Sequence, residues 1–417
     1  MTVFFTVMFM SCKEDEAMNP LGSFTVTIQN VSEGKAYFDA GMTDAIPPGS
    51  SYSFSFHAGM GHYLSFATMF AQSNDLFYAP DENGLELYDD TGDPLTGDVT
   101  SMVHLWDAGT EINQEPGVGS DQAPRQSGPD TGMDENGNVL LLADVNDGFT
   151  YPSDEEILSV ILEHDGGTMF TVTIHNISDA GSFQTPLAPG TWVVHSDGSP
   201  LFSSGAEASG DLEDLAEDGM NGPLSEVLMQ NSGFATPFAP GVWAVYTMSN
   251  PVYTMGQMAS QDLESLAEDG NPSGYAGSLS GADGVRSFDV FTTPMGAGSP
   301  APIFPGNQYT FEFEAQPGDK LVFATMLVQS NDLFIGAEID LFQNGPPVSG
   351  DITSRLQLYD AMTEVNEYPG AGKNQAPRQA GPNTGNSENG SVSLVNDGFT
   401  YPAISDMLRI SITSSQN

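Results

Sequence analysis

Alternation of apolar and polar residues marks several short stretches of this chain as strands. Residues 24–31 and 51–57 alternate, which is typical of strands with one face buried and the other in solvent. Residues 64–72 are more continuously apolar and predict a strand covered on both faces. Turn signals rich in Gly, Asp and Pro separate such stretches, and helical periodicity is nowhere sustained. The pattern therefore predicts an all-β fold of antiparallel strands.

Two stretches of the first part of the chain return near its end. Residues 66–77 (FATMFAQSNDLF) recur at 323–334 as FATMLVQSNDLF, and residues 105–111 (LWDAGTE) recur at 358–364 as LYDAMTE. The repeated unit is a whole domain, because a solenoid would need at least three short repeats. We therefore expect two tandem antiparallel β-sandwich modules.

The expected modules have different lengths. The first covers residues 23–163 and the second covers 168–417, where the opening strand pattern returns. The extra length of the second module is explained by a segment at 180–285, which contains a smaller duplication of its own. There, a Leu-x-x-Leu-Ala spacing that ends in glycine occurs at 210–219 and again at 260–270. This spacing predicts short helices with a glycine stop, so we expect 180–285 to be a partly helical elaboration of the second module.

The net charge narrows the classes of partner. The chain has 9 Lys plus Arg against 56 Asp plus Glu, which gives a formal charge of −47. We therefore expect no nucleic acid partner, since binding phosphates requires basic residues. Cations are the natural counterpart of such an acidic surface.

The amino terminus resembles a bacterial lipoprotein signal. An apolar run at 2–11 ends in a small residue before Cys12, and acidic residues follow at 14–16. The segment is too short to span a bilayer, so the expected membrane contact is a lipid on Cys12 alone. The run departs from the pattern because no Lys or Arg precedes it. We expect residues 1–22 to be a signal remnant and linker of an outer-membrane lipoprotein that is surface-exposed or secreted.

Aspartates stand where the repeated strands end. Asp75 and Asp107 follow or close apolar strands in the first copy, and Asp332 and Asp360 do so in the second. Carboxylates at neighbouring strand ends can converge on one hard cation, and calcium accepts six to eight oxygen ligands in irregular geometry. Zinc is not expected, because His and Cys do not cluster. The alternative is that these aspartates only form turns.

The repeated motifs together resemble the spondin N-terminal domain family. The resemblance lies in FATM followed by SNDLF, in DAGTE, and in the QAPRQ and NDGFTYP stretches, and it covers nearly the whole chain. It implies a β-sandwich similar to C2 domains with calcium bound at one end. It also implies an extracellular or cell-surface protein that mediates adhesion, without catalysis.

The resemblance also implies particular calcium ligands. The four aspartates that it carries over are Asp75, Asp107, Asp332 and Asp360. The family adds a glutamate from the preceding strand, for which Glu312 or Glu314 is the candidate in the second module. The first module has Ser55 and His57 at those positions, so that ligand is missing there. In the second module Met362 replaces the glycine of the family motif.

In each copy one glutamate follows the second aspartate by four positions. We expect Glu111 and Glu364 to reach either the ion or the loop backbone. The six histidines are not matched between the copies, and we find no nucleophile with a base, so the protein is not expected to be an enzyme. The leading hypothesis is a surface-anchored, calcium-binding adhesion or interaction protein whose partner is a cell-surface or matrix protein or a glycan. The alternatives are a polysaccharide-binding module and a purely structural envelope component.

Overall fold

The computed structural model describes residues 21–342 and 345–416. Cys12 and the expected signal segment lie outside these described residues. The described strands are β1 (Gly22–Asn30), β2 (Asp39–Met42), β3 (Ser51–His57), β4 (Tyr63–Met69), β5 (Leu76–Pro80), β6 (Leu85–Glu86), β7 (Gly97–Asp98), β8 (Val103–Asp107), β9 (Leu140–Leu141), β10 (Leu158–Gly166), β11 (Met169–Asn176), β12 (Thr191–His195), β13 (Phe238–Tyr246), β14 (Val285–Phe291), β15 (Gln308–Ala315), β16 (Lys320–Leu327), β17 (Leu333–Asp340), β18 (Gly350–Asp351), β19 (Gln357–Asp360), β20 (Ser393–Leu394) and β21 (Leu408–Gln416).

Helices are short in the described part of the chain. They are α1 (Asp154–Ile157), α2 (Gly210–Asp218), α3 (Gly222–Gln230), α4 (Gln261–Asp269), α5 (Tyr275–Ser278) and α6 (Ile404–Met407). The helices expected at 210–219 and 260–270 are confirmed as α2 and α4. Each stops at a glycine in the left-handed region, Gly219 at φ 65° and Gly270 at φ 63°. Among the described residues, no helix has the length and apolar character needed to cross a membrane.

The expected all-β class is confirmed, because the described strands form four antiparallel sheets. Two smaller sheets have the orders β3-β11-β10-β7 and β15-β1-β21-β18. Two larger sheets have the orders β2-β12-β4-β5-β8-β9, with β6 beside β4, and β14-β13-β16-β17-β19-β20. Strand β4 is buried along almost its whole length, as its continuous apolar pattern predicts.

Each small sheet shares a hydrophobic core with one large sheet. In the first lobe, which comprises β2–β12 and α1–α3, the Trp192 ring of the large sheet stacks on Phe54 of the small sheet at 5.1 Å. In the second lobe, which comprises β1, β13–β21 and α4–α6, Trp243 stacks on Phe311 at 5.3 Å. Helices cover the outer face of each large sheet, so every lobe has three layers.

The first strand of each expected module lies in the other lobe. Strand β1 pairs with β15 and β21 of the second lobe, and β11 pairs with β3 and β10 of the first. The expected boundaries at 23–163 and 168–417 are therefore wrong for these two strands. The physical reason is that β1 and β11 have the same alternation of buried and half-exposed residues. Either strand suits either core, so periodicity does not say which core it joins.

The segment 180–285 is divided between the lobes, which corrects its assignment to the second module alone. Strand β12 lies between β2 and β4 of the first lobe, and β13 lies between β14 and β16 of the second. The smaller duplication supplies a strand and a helix to each lobe.

The first lobe is a continuous insertion in the second. The chain leaves the second lobe after β1 and returns to it at β13. Its two crossings run side by side, where Tyr37 N donates to Asn231 O at 3.1 Å and Gly233 N donates to Tyr37 O at 3.1 Å. The lobes also touch where the Tyr368 ring stacks on His57 at 3.5 Å.

Candidate metal sites

The strand-end aspartates are neighbours in both lobes. Asp75 immediately precedes β5 and Asp107 closes β8, and these strands pair so that Leu76 faces Asp107. Asp332 and Asp360 stand in the same relation before β17 and at the end of β19. The structure therefore brings together the four aspartates as two pairs, one pair at the same end of each large sheet.

One oxygen of each loop aspartate fixes the loop that follows the second strand. Asp75 Oδ2 accepts hydrogen bonds from Thr110 N at 2.7 Å and Glu111 N at 3.1 Å. Asp332 Oδ2 accepts from the equivalent two amides at 2.7 and 3.1 Å. These bonds need only one oxygen of each carboxylate.

The other oxygen of each loop aspartate has no donor. Asp75 and Asp332 are each 0% exposed, and Oδ1 of both side chains is buried without a hydrogen-bond partner. A buried carboxylate oxygen without a donor is costly, since its desolvation is not compensated. The same oxygen lacks a hydrogen-bond donor in both lobes.

The second aspartate of each pair is anchored by its own loop. Asp107 Oδ1 accepts from Gly109 N at 2.7 Å, and Asp360 Oδ1 accepts from Met362 N at 2.7 Å. Gly109 has φ 70° and Met362 has φ 58°, so the loop keeps the same left-handed turn after the glycine is replaced. The departure from the family motif at Met362 thus leaves the backbone geometry intact.

Burial makes both pairs difficult to ionise together. Burial and the charge of Asp107 raise the pKa of Asp75 well above its usual range. Burial and the charge of Asp360 raise the pKa of Asp332 to about 8. Burial raises the pKa of Asp107 and of Asp360 to about 6. A bound cation would relieve this repulsion, and an all-oxygen donor set fits a hard ion such as calcium.

Glu111 and Glu364 hold loop backbone. Glu111 Oε1 accepts from Gly132 N at 2.6 Å, and Glu364 Oε1 accepts from Gly385 N at 2.8 Å. A Cβ on Gly132 would lie 2.0 Å from the Glu111 carboxylate, so only glycine permits this approach. Of the two expected roles, the structure shows contact with the loop backbone.

Glu312 is not brought into the second site, which corrects the expectation. It lies on β15 of the small sheet, whereas Asp332 precedes a strand of the large sheet. Its side chain is exposed and accepts a hydrogen bond from Thr25 Oγ1 at 3.3 Å. The cause is the alternation of β15, which turns Phe311 and Phe313 into the core and the intervening glutamate outward. Glu314 is exposed on the same strand.

Three residues near the first site were not identified from the sequence. Glu217 on α2 and Asp130 in the loop between β8 and β9 each bring a carboxylate oxygen within 4.8 Å of one from Glu111. Gln122 is fully buried, and its amide donates to Asn74 Oδ1 at 3.2 Å. Glu217 belongs to the repeated Leu-Ala-Glu-Asp-Gly motif and Gln122 to the repeated Gln-Ala-Pro-Arg-Gln motif. These repeats single out both residues, but they do not indicate that the residues lie near the strand-end aspartates.

A cleft of about 490 Å³ lies between the two lobes. The rings of Tyr88, Tyr368 and Phe399 line it, together with His57 and the exposed Lys373. A pocket of this size with aromatic walls and a few polar groups suits a small ligand.

The chain was also compared with known proteins. No family model matches it, and a search of curated proteins finds no match.

Proposed function

We propose that this protein is a calcium-binding adhesion or interaction protein of the cell envelope, with one calcium site at the strand ends of each lobe. The observation that carries this proposal is the buried, donorless Oδ1 of Asp75 and of Asp332. Each of these atoms belongs to a carboxylate that is paired with a second carboxylate, Asp107 or Asp360. Carboxylate oxygens are the ligands that calcium prefers.

The proposed ion cross-links loops that the fold holds close together. Asp75 precedes β5, Asp107 closes β8, and the loop after β8 is tied to both aspartates by its amides. Calcium in this position would neutralise both charges and stiffen the loop end of the lobe. A stiff loop end exposes a fixed surface to a partner, which is the use that an adhesion protein makes of calcium.

The type of β-sandwich, the membrane anchor and the partner are proposed from the sequence motifs alone. We propose that each pair of sheets is a spondin-type β-sandwich and that the protein is anchored to the outer membrane through a lipid on Cys12. The partner would be a cell-surface or matrix protein or a glycan. The formal charge of −47 makes a nucleic acid partner unfavourable, and no catalytic role is proposed.

The cleft between the lobes favours polysaccharide binding as a second candidate function. Tyr88, Tyr368 and Phe399 present aromatic surface there, and Lys373 and Asn366 are polar groups at the same cleft. Binding to immobilised glycans that is lost in Tyr368→Ala would favour this reading. Absence of binding to a broad glycan panel would remove it.

Calcium-dependent thermal stability tests the leading proposal. The melting temperature should rise with calcium, because an ion bound only by the native state adds roughly 2.7 kcal/mol at a hundredfold excess over Kd. Magnesium should raise it much less, because magnesium requires near-ideal octahedral geometry. Asp75→Asn with Asp107→Asn should abolish the increment of the first lobe, and Asp332→Asn with Asp360→Asn that of the second.

Matched charge changes provide the control. Asn keeps one oxygen that can accept the loop amides, so these variants retain the local hydrogen bonds. Glu155→Gln with Glu163→Gln in the first lobe, and Glu312→Gln with Glu314→Gln in the second, remove the same charge from exposed positions. Equal loss of the calcium increment in both sets would mean that calcium acts as a diffuse counterion, and the proposal would be wrong.

A further inference from the structure

A small cavity lies where the chain crosses between the two lobes. It has a volume of about 150 Å³, and its lining includes residues 35–38 and 233–235 of the two crossings together with His62 and Arg378. Two basic side chains, Lys35 and Arg378, stand at its wall, and none of the described residues that line it is an aspartate or a glutamate. In a chain with 9 Lys plus Arg against 56 Asp plus Glu, this cavity has the opposite charge from the chain as a whole.

The guanidinium of Arg378 lies at the contact between the lobes and is half-buried. It donates to Met60 O at 3.4 Å, to Gln329 Oε1 at 3.2 Å and to Gly370 O. Arg378 takes part in none of the ion pairs within 4 Å that the described residues form. Neutral acceptors satisfy its N–H groups but leave its charge without a counter-ion, and a buried charge without one is unfavourable. Burial accordingly lowers the pKa of Arg378 to about 10.

His62 places a second hydrogen-bond donor beside Arg378. Burial and the charge of Arg378 lower the pKa of His62 to about 3, so the ring is neutral. Its Nδ1 accepts from Gly59 N at 3.2 Å, which leaves the single proton of the neutral ring on Nε2. Nε2 lies 3.3 Å from Arg378 Nη2, which is also a donor. Two donors therefore meet at the wall of the cavity, and an anionic oxygen beside both would satisfy them.

Lys35 brings a second positive charge to the cavity from the first crossing. Its ammonium lies 3.1 Å from Gln230 O and 3.3 Å from Glu33 Oε2. The Glu33 side chain is 85% exposed, so this ion pair is a weak surface pair that holds the ammonium loosely. An ammonium has three N–H groups, and the third is available to a ligand in the cavity.

We propose that this cavity binds one small tetrahedral oxyanion, of the class of inorganic sulfate or phosphate, through Arg378, His62 and Lys35. The three donors come from the second lobe, the first lobe and a crossing, so the ion would tie these segments together. Donors from three segments suit an anion with more oxygens than the two of a carboxylate. The volume is below the roughly 300 Å³ at which pockets for drug-sized ligands begin, which favours a free ion over a sugar.

This anion site is independent of the proposed calcium sites and of the aromatic cleft. It shares no lining residue with the cleft, and the strand-end aspartates are not among the residues that line it. Its failure and that of the proposed function are therefore distinguishable.

Equilibrium dialysis of the full chain tests the proposal. The probes are sodium sulfate, sodium phosphate and sodium acetate, each at a constant ionic strength set with sodium chloride. The formal charge of −47 repels anions from the surface as a whole, so saturable binding would identify a local basic site. We expect one sulfate or one phosphate per chain and much weaker binding of acetate. Acetate binding as tight as that of sulfate and phosphate would overturn the assignment to a tetrahedral ion, and the absence of saturable sulfate and phosphate binding would overturn the site.

Two substitutions locate the binding. Arg378→Gln removes the guanidinium charge and should abolish binding. Lys35→Gln leaves the inter-lobe contacts of Arg378 in place and should weaken binding about tenfold, because a hydrogen bond to a charged group contributes about that factor. Folding of both variants is verified by circular dichroism, and Lys35→Gln still tests the site if Arg378→Gln does not fold. Unchanged binding in either folded variant would overturn the proposal.

Two matched variants provide the control. Arg125 is the equivalent arginine of the repeated Gln-Ala-Pro-Arg-Gln motif in the first lobe, where it is exposed and donates to Gly119 O of its own loop at 2.8 Å. Lys320 forms a surface ion pair with Asp340 at 3.5 Å, as Lys35 does with Glu33. Arg125→Gln and Lys320→Gln remove the same charges away from the cavity and should bind the oxyanion as the wild type does. An equal loss of binding in these variants would mean that the overall charge controls it, and the proposal would be wrong.

Discussion

His62 couples protonation to the contact between the lobes. It is 4% exposed, its Nδ1 accepts from Gly59 N at 3.2 Å, and its Nε2 lies 3.3 Å from Arg378 Nη2. Arg378 also donates to Met60 O at 3.4 Å, which makes it a direct link between the lobes. Burial and the charge of Arg378 lower the pKa of His62 to about 3.

The lowered pKa of His62 predicts that the free energy of unfolding decreases at acidic pH. The pKa of His62 is about 6.5 in the unfolded chain and lower in the folded one, so the unfolded state binds more protons between these values. The contribution of His62 is thus intact above pH 6.5 and is lost as the pH falls towards 3, by up to about 1.4 kcal/mol per pH unit. Urea unfolding should be measured at pH 7, 5.5 and 4.5. As the pH falls, the free energy of unfolding should decrease less in His62→Gln than in the wild type. A difference between the two proteins that is independent of pH would contradict this account.

The sequence predicts the location of some site residues and not of others. Asp75 and Asp107 stand at repeated strand ends, so period and position are enough to pair them. Asp130 and Glu217 are far apart in sequence, and only the packing of α2 over the large sheet brings them to Glu111. Glu312 was assigned by resemblance, and the alternation of its own strand turns it away from the site.

Strand β1 packs in the second lobe, although it precedes the whole first lobe in the sequence. Val26 is fully buried in the second lobe, where β1 lies between β15 and β21. Val172 of β11 is fully buried in the first lobe between β3 and β10. Both strands end in an asparagine whose side-chain amide bonds loop carbonyls of its own lobe: Asn30 bonds Thr236 O, and Asn176 bonds Thr185 O.

Matched substitutions in the two strands test this exchange. A buried, unpaired carboxylate costs about 4 kcal/mol or more, so Val26→Asp should loosen the second lobe. Hydrogen exchange should show lost protection in β13–β21 with β2–β12 intact, and Val172→Asp should show the reverse. Loss of protection in β2–β12 on Val26→Asp would restore the simple tandem order.

The sequence predicts individual strands and helices better than it predicts which strands pair with each other. Strand alternation and the glycine stops of α2 and α4 are local features, and they were readable from the sequence. The choice between two similar cores depends on contacts more than two hundred residues apart, such as Phe24 against Phe313. No local pattern carries that information, which is why the expected module boundaries differ from the boundaries of the two lobes.

At the scale of the whole molecule, the chain places one complete lobe inside another. The crossings at Tyr37 and Gly233 are hydrogen-bonded to each other, so the inserted lobe begins and ends at one point. Gly59 fits against Ala371 of the other lobe, where a Cβ would lie 2.2 Å from the backbone oxygen. The two candidate strand-end sites are thus carried on two docked lobes of one chain.

The most direct test of the account is a crystal structure grown with calcium and measured at a wavelength where calcium scatters anomalously. We expect one anomalous peak about 2.3–2.6 Å from Asp75 Oδ1 and another at the same distance from Asp332 Oδ1. Both peaks should be absent from crystals of the variants with Asn at all four strand-end positions. Anomalous peaks confined to exposed carboxylates, with none beside these two atoms, would contradict it.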